Sequence, residues 1–488
     1  MAATHKDIII IGAGIAGLAC AARLAAKGHR VTVFEKNSYA GGKLGLLQQD
    51  GYTFDTGPSL FTQPYVLEAL FKDCGAQLNE YLTYTKPAIT TQYFYADGTL
   101  LTAYADADKL KQELQTVLGI EIATFNAFLR DAEKLYQNIG TIFLDEPIHK
   151  LRTWFSPKIL KAFAALKPAY LLKSMHTHHR QILQHDKLVQ LFDRFATYNG
   201  SNPFEAPAML SMIAHLELNE GVYYPIGGMR AIGEAVYTLC KKLGVQFHFH
   251  TAVTEITTQQ HVVTGIVANG APYKANVVIS NSDVYFTYQK LLSDAQMANK
   301  LQRQERSSSA IIFYWGMQKQ FPQLDLHNIF FTTDYRAEFQ SIFKDKQPYH
   351  DPTVYVNITA KQDSTHAPDG CENWFVLVNT PAGNETSDAI AFTKAHVIDK
   401  LSKLLDTNIE RYIATEKTLT PSLIEKQTGS YMGALYGTAS NNRMAAFMRH
   451  SNTSGKYKGL YFAGGTVHPG GGIPLCLRSA KLVADAID

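Results

Sequence analysis

The chain has 488 residues, a formal net charge of +3, and 46% hydrophobic and 18% charged residues. That length exceeds what one core can serve and calls for two or three domains. The composition excludes disordered and collagen-like classes, and the near-neutral charge argues against bulk nucleic-acid binding.

Residues 8–11 read IIII, a continuous β-branched run expected of a strand buried on both faces of a parallel sheet. Gly12, Gly14 and Gly17 follow with GxGxxG spacing. Residues 18–27 predict a helix stopped by Gly28, and residues 30–35 (RVTVFE) predict a second strand ending on Glu35. Asp7 and the spaced glycines make the apolar stretch 8–22 a strand, turn and helix, not a signal-peptide core. In this setting Gly12 permits a tight turn, Gly14 lets backbone approach a pyrophosphate, and Gly17 lets the helix pack close to the strand. The helix N-terminus offers free N–H groups to phosphates, and Glu35 can accept hydrogen bonds from a ribose diol.

From 105 to 190 the pattern turns helical. No acidic residue lies between Glu146 and Asp186, whereas Lys150, Arg152, Lys158, Lys161, Lys167, Lys173 and Arg180 are interleaved with Trp154, Phe155, Phe163, Tyr170, Leu171 and Leu172. Basic residues among aromatics and leucines suit an anionic membrane surface; a solvated face over a helical lid is the alternative. His176, His178 and His179 read as a polar helix face, because their spacing fits no common closed metal site and no acid or cysteine accompanies them. No metal is expected, and no nucleic-acid recognition fold accompanies the patch. No run reaches the ~18 apolar residues needed to span a bilayer. Cys20, Cys74, Cys240, Cys371 and Cys476 are scattered, with no CxxC pair, which suits a reducing cytoplasm. The expected location is therefore cytoplasmic, peripherally associated with a membrane.

Beyond the helical region, 223–233 (YYPIGGMRAIG) joins into a helix, and 245–256 and 277–279 read as strands, the latter ending at Ser280-Asn281. Residues 310–315 and 374–379 are aromatic strand candidates, 387–405 a helix, and 459–463 a strand followed by a glycine-dense turn and a helix over 474–487. The expected fold is α/β: a Rossmann-like dinucleotide-binding domain in three pieces (1–70, 221–285, 426–488), an inserted mixed-sheet substrate domain (71–110, 286–425) and a helical lid or membrane-contact region (111–220).

NAD and FAD share the first fingerprint. Gly41-Gly42-Lys43, then Asp55-Thr56-Gly57-Pro58, and above all the second glycine turn at 459–472 favour FAD. The helix after that turn can aim its positive end at the flavin's pyrimidine edge. A second GxGxxG for a nicotinamide cofactor is absent, so oxygen or a quinone is the expected electron acceptor.

With these motifs placed, the chain resembles the bacterial-type phytoene desaturase family of carotenoid desaturases over nearly its whole length. The resemblance rests on IIIIGAGIAGL (8–18), GGK, DTGPS, NPF (202–204), YYPIGGM (223–229) and LYFAGGTVHPGGGIPLCLRSAK (460–481). It implies removal of hydrogen from a long polyene bound in an apolar tunnel over FAD. The TVHPGGGIPL segment resembles the branch acting at the 3,4-bond of hydroxylated carotenoids, such as 1'-hydroxy-gamma-carotene. The cofactor-binding residues so implied are Gly12, Gly14, Ile15, Ala16, Gly17, Glu35, Lys36, Gly42, Lys43, Gly57, Pro58, Ser59, Val253, Asn281, Gly465, Thr466, Gly472 and Ile473. The aromatic strands at 311–315 and 374–377 are the expected tunnel walls, and His468 is the candidate catalytic base. The rival readings are a phytoene desaturase, an amine oxidase, a carotenoid isomerase and a non-catalytic pigment-binding flavoprotein.

Overall fold

The computed structural model describes residues 5–157, 159, 167–383, 385–442 and 449–487. A five-stranded parallel sheet runs in the order Leu460–Phe462, Val277–Ser280, Asp7–Ile11, Arg30–Phe34, Gln246–His248. The isoleucine run lies at its centre, and its side chains part to opposite faces. Ile8 and Ile10 join a core with helices Ile15–Ala26, Arg230–Lys242 and Ile473–Ala484. Ile9 and Ile11 join another with the antiparallel strands Val253–Gln259, Val262–Ala268 and Ala271–Lys274. Cover on both faces is what a strand without polar alternation requires. The first helix starts at Ile15, ahead of the residue-18 start that periodicity suggests. After Ile15 its first turn holds Ala16 and Gly17, small and buried, which carry little hydrophobic signal although Gly17 makes a close approach to Gly12.

A seven-stranded mixed sheet forms the second layer, ordered Ile413–Leu419, Ser309–Met317, Glu372–Thr380, Val354–Asn357, His327–Phe330, Ile89–Phe94, Leu100–Tyr104. All neighbours are antiparallel except His327–Phe330 with Ile89–Phe94. Both faces of Ser309–Met317 are buried. Ile311, Phe313, Trp315 and Trp374 pack with Val397 and Leu401 of helix Ser387–Leu404. Ile312, Tyr314 and Phe375 point the other way.

The helical region includes Ala107–Leu118, Ile122–Leu135, Met175–Leu183 and Asp186–Asp193. The first is bounded by Asp106, whose carboxylate accepts from the amides of Asp108 and Lys109, and by Gly119 in the left-handed conformation. His176, His178 and His179 do not form a polar face. Met175–Leu183 packs on Asp186–Asp193 and Ile122–Leu135, which buries His178 and His179. The acid missing locally comes from the next helix: Asp193 meets His176 Nδ1 at 2.7 Å and His179 Nδ1 at 2.8 Å, while His179 Nε2 meets Ser211 Oγ at 2.8 Å. Phe128 and Phe192 set their edges against His179, and burial pushes His178 down to about 4. Of the basic stretch, Lys158, Lys161 and Phe163 lie outside the described residues. Among the described residues no helix is long and apolar enough to cross a membrane.

Candidate cofactor and substrate site

The glycine loop is shaped by close approach. Gly12, at φ +97°, donates its N–H to the Phe34 carbonyl at 2.8 Å, and Gly41 donates to the Ala13 carbonyl at 2.8 Å. A Cβ on Gly14 would stand 2.6 Å from Asn281 Oδ1, and one on Gly17 would stand 2.2 Å from the Gly12 carbonyl oxygen. Asn281 is the post around which the loop closes, and its Nδ2 donates to the Ala463 carbonyl at 2.8 Å, tying the first glycine loop to the C-terminal turn. Glu35 is buried, and its two carboxylate oxygens accept from the amides of Ala13 at 2.7 Å and Asn37 at 2.8 Å. Those bonds fix the carboxylate and leave lone pairs for a diol.

At the same carboxyl end of the sheet, two strands away, Ala463 donates to the Ser280 carbonyl at 3.0 Å as the chain enters its second glycine turn. Gly465 lies against Gly471, with 3.2 Å between an added Cβ and the Gly471 Cα. Thr466 Oγ1 accepts from the Val284 amide at 3.2 Å. Gly472, at φ +106°, starts helix Ile473–Ala484, and a Cβ there would meet nothing within 4 Å. The helix N-terminus therefore faces open space.

One cavity of about 880 Å³ joins these parts. Its wall includes Gly12, Gly14, Ile15, Ala16, Glu35, Lys36, Gly42, Lys43, Gly57, Pro58, Ser59, Val253, Asn281, Gly465, Thr466, Gly472 and Ile473. Gly17 stands behind the loop and spaces it from the helix. The donor set fits FAD: a helix N-terminus opened by glycine for the pyrophosphate, a fixed carboxylate for the ribose, and a second helix N-terminus for the flavin ring. Lys43 Nζ donates to the Leu435 carbonyl at 2.9 Å, and burial holds its ammonium below the usual value.

Sequence reasoning missed Arg449, which also lines the cavity. It is buried and donates from Nη1 to the carbonyls of Tyr436 (2.8 Å) and Gly465 (3.0 Å) and from Nη2 to that of Thr438 (3.0 Å). With carbonyls in place of a carboxylate, burial pulls its guanidinium down to about 10. No pattern in its neighbourhood of the sequence signals it.

The DTGPS and YYPIGGM motifs are one structural unit. The Asp55 carboxylate accepts from the amides of Met229 (2.9 Å) and Arg230 (3.1 Å), capping helix Arg230–Lys242. Gly228 is required there, because a Cβ would sit 2.8 Å from the Asp55 carboxylate.

His468 is not in the cavity wall, although its neighbour Pro469 is. Its ring is buried against Phe143 and His149, its Nε2 lies 3.1 Å from the Glu146 carbonyl, and burial pushes it down to about 4. The aromatic strands contribute one face only. Ile312, Phe375 and Leu377 line the cavity, whereas Ile311, Phe313, Trp315 and Trp374 are plain core on the opposite face. Alternation along a strand forces that division.

The remainder of the cavity is largely apolar, with Ile213, Leu216, Ile329, Phe339 and Ile342 in its wall. Glu338 is one of its polar members. Thr353 donates to its two oxygens from N and Oγ1, at 2.7 Å each, and burial lifts its carboxyl from 4.5 to about 7. A carboxyl raised in the native state stabilises nothing by ionising, so stability falls as pH climbs from 4.5 through about 7. Glu338→Gln should remove up to about 3 kcal/mol of that cost. Its apparent Tm should exceed the parent's at pH 8 and match it at pH 5; equal Tm at both would refute the assignment.

Comparison with known proteins yields a family match and full-length relatives. The family described as flavin containing amine oxidoreductase matches residues 15–488. The chain is 46% identical over 487 residues, 99% of each protein, to a 1-hydroxycarotenoid 3,4-desaturase of Flavobacterium sp. (strain P99-3). It is 34% identical over 499 residues to a 4,4'-diaponeurosporene oxygenase of Staphylococcus aureus (strain MSSA476), covering 99% of this chain and 98% of that one. Among solved structures, putrescine oxidase bound to putrescine shares the fold at TM-score 0.64 and 15% identity, covering 99% of both chains. An oxidoreductase from Methanosarcina mazei does so at TM-score 0.63 and 16% identity, covering 98% of this chain and 99% of that one.

Proposed function

The chain belongs to the flavin-containing amine oxidoreductase family, and from that premise we propose that it desaturates the 3,4-bond of a 1-hydroxycarotenoid. It is an FAD-dependent oxidoreductase of the carotenoid desaturase type. The observation that supports this substrate best is the joining, in one cavity, of a dinucleotide cradle to a long apolar wall. A polyene offers almost no hydrogen bonds, so its binding must come from apolar burial at roughly 25 cal/mol per Å².

FAD held by these residues would supply the acceptor for a hydride from an allylic carbon, the neighbouring carbon losing a proton as the double bond forms. The chain's own residues do the rest. Glu35 and the loop at Gly14 fix the nucleotide half, the N-terminus at Gly472–Ile473 favours negative charge on the ring side, and Ile312, Phe375 and Leu377 keep water from the reacting carbons. No proton-accepting role is assigned to His468, whose ring is sealed away from the cavity.

Access from a membrane surface fits the outer face of the helical region. Phe155 is 73% and Leu172 58% exposed, and Lys150 and Lys167 of the same stretch are exposed too. Such a surface suits peripheral contact with anionic lipid. Oxygen or a quinone is the proposed final electron acceptor.

The test mixes purified FAD-loaded protein with anionic or neutral liposomes carrying a 1-hydroxycarotenoid, lycopene or phytoene. A red shift with loss of two mass units on the hydroxylated substrate, faster from anionic vesicles, is expected. Turnover of phytoene alone would keep the desaturase and overturn the bond assignment. Unchanged mass with altered geometry would make it an isomerase.

A further inference from the structure

Resting on that reading, we propose that the paired hydroxyls of Ser59 and Tyr355 are the seat for the substrate's own hydroxyl, and so fix which bond faces the flavin. In a 1-hydroxycarotenoid only two bonds separate the oxygen-bearing carbon from the nearer carbon of the 3,4-bond. The polar partner must therefore stand beside the flavin, not at the far end of the tunnel.

The Ser59 loop is at that place. Gly57 is pressed on the Lys43 carbonyl, with 1.8 Å between that oxygen and an added Cβ, and Lys43 reaches the Leu435 carbonyl. The next residue, Tyr436, lies on Gly471 of the second glycine turn, 2.9 Å from an added Cβ. Residues 57–59 thus belong to the wall around that turn.

The two hydroxyls are set for recognition. Tyr355 lies in a cross-strand row Leu419–Ile312–Leu377–Tyr355–Ile329, every member of which lines the cavity. It is the one member carrying a hydrogen-bonding side chain. Its hydroxyl donates to Ser59 Oγ at 2.7 Å and lies 2.8 Å from His327 Nδ1, which holds the phenol in place from behind. Beyond this bond to Tyr355, Ser59 Oγ has no side-chain partner among the described residues, so part of its hydrogen-bonding capacity is left toward the cavity. A hydroxyl whose hydrogen-bonding capacity is only partly met in an apolar wall is costly unless a ligand hydroxyl answers it. A hydrocarbon without oxygen leaves it unmet, so the pair selects hydroxylated over bare polyenes.

Ser59→Ala and Tyr355→Phe would be compared with the parent using a 1-hydroxycarotenoid and its 1-deoxy counterpart. Turnover and the shift of carotenoid absorption on binding would both be followed. Both variants would be assayed with FAD at saturation, because Ser59 stands among the residues implied to hold the cofactor; the flavin content of Tyr355→Phe, read from the 450 nm to 280 nm ratio, should stay at the parental value. The ratio of kcat/KM for the hydroxylated over the deoxy substrate should fall about tenfold or more in each variant, with weaker binding of the hydroxylated compound. Equal losses on both substrates, or loss of flavin from Tyr355→Phe, would make the pair a loop anchor and overturn the inference. An unchanged ratio would overturn it too. If the parent turned over neither compound, the desaturase reading itself would fail.

Discussion

Gly17→Ala should yield protein that purifies largely without flavin. A methyl group there would lie 2.2 Å from the Gly12 carbonyl oxygen and 3.0 Å from Asn281 Oδ1. The first neighbour is backbone and cannot swing aside. Gly12 is itself held by the bond from its N–H to the Phe34 carbonyl, so relief requires the helix to withdraw from the strand. Withdrawal carries the helix N-terminus away from the pyrophosphate, where its N–H groups and dipole act only within about the first turn. We expect FAD affinity to fall at least about tenfold, or 1.4 kcal/mol, with a lower apparent Tm for the variant. The measurement is the 450 nm to 280 nm ratio after gel filtration, followed by titration of FAD into the stripped protein. Gly455→Ala is the matched control: an added Cβ there meets nothing within 4 Å, and flavin content should not change. Full flavin occupancy in Gly17→Ala would show that the loop yields where the packing says it cannot.

The role of Gly17 is legible in the sequence because it concerns backbone. A glycine at fixed spacing after a buried strand has few reasons to exist, and Glu35 at the end of the next strand has fewer. The same holds for the turn at Gly465 to Gly472. What the sequence could not show is which way side chains face once both faces of an element are buried. Ile311 to Trp315 carries no polar alternation, so nothing separated Ile312, in the cavity wall, from Trp315, in the opposite core. The histidines failed for a related reason. His179 is satisfied by Asp193 on a neighbouring helix and by Ser211 beyond it, and a local search for acids meets neither. His468 sits inside the most telling motif of the chain, yet that motif is needed for its glycines and its helix start, while the imidazole faces Glu146. Arg449 is the converse case, a cation placed by tertiary structure with only carbonyls for company.

The largest loss of stability is expected from Glu217→Leu. Arg194 and Glu217 are buried together, with 3.1 Å between Arg194 Nη2 and Glu217 Oε1, Arg194 lining the cavity and Glu217 not. Arg194 also donates to the hydroxyls of Tyr93 at 3.1 Å and Tyr198 at 3.0 Å, and Tyr198 donates to the other Glu217 oxygen. The rings of Phe195, Tyr198 and Tyr93 enclose the guanidinium at 4.9, 5.1 and 5.4 Å. Removing the carboxylate leaves a buried cation that cannot shed its proton. Breaking such a pair from one side costs about 3–5 kcal/mol. Arg194→Met should be milder, since the stranded carboxylate can take up a proton and keeps Tyr198 as a donor. Arg194→Met with Glu217→Leu should recover much of the loss, because two apolar side chains of similar volume replace both charges at once. Apparent Tm of the flavin-loaded proteins would rank parent, double variant, Arg194→Met, Glu217→Leu from highest to lowest. A double variant as unstable as Glu217→Leu would mean that the cluster is held by its shape and not by charge compensation. With compensation the decisive term, the ion pair is the condition on which Arg194 can stand beside the apolar side chains of the cavity wall at all.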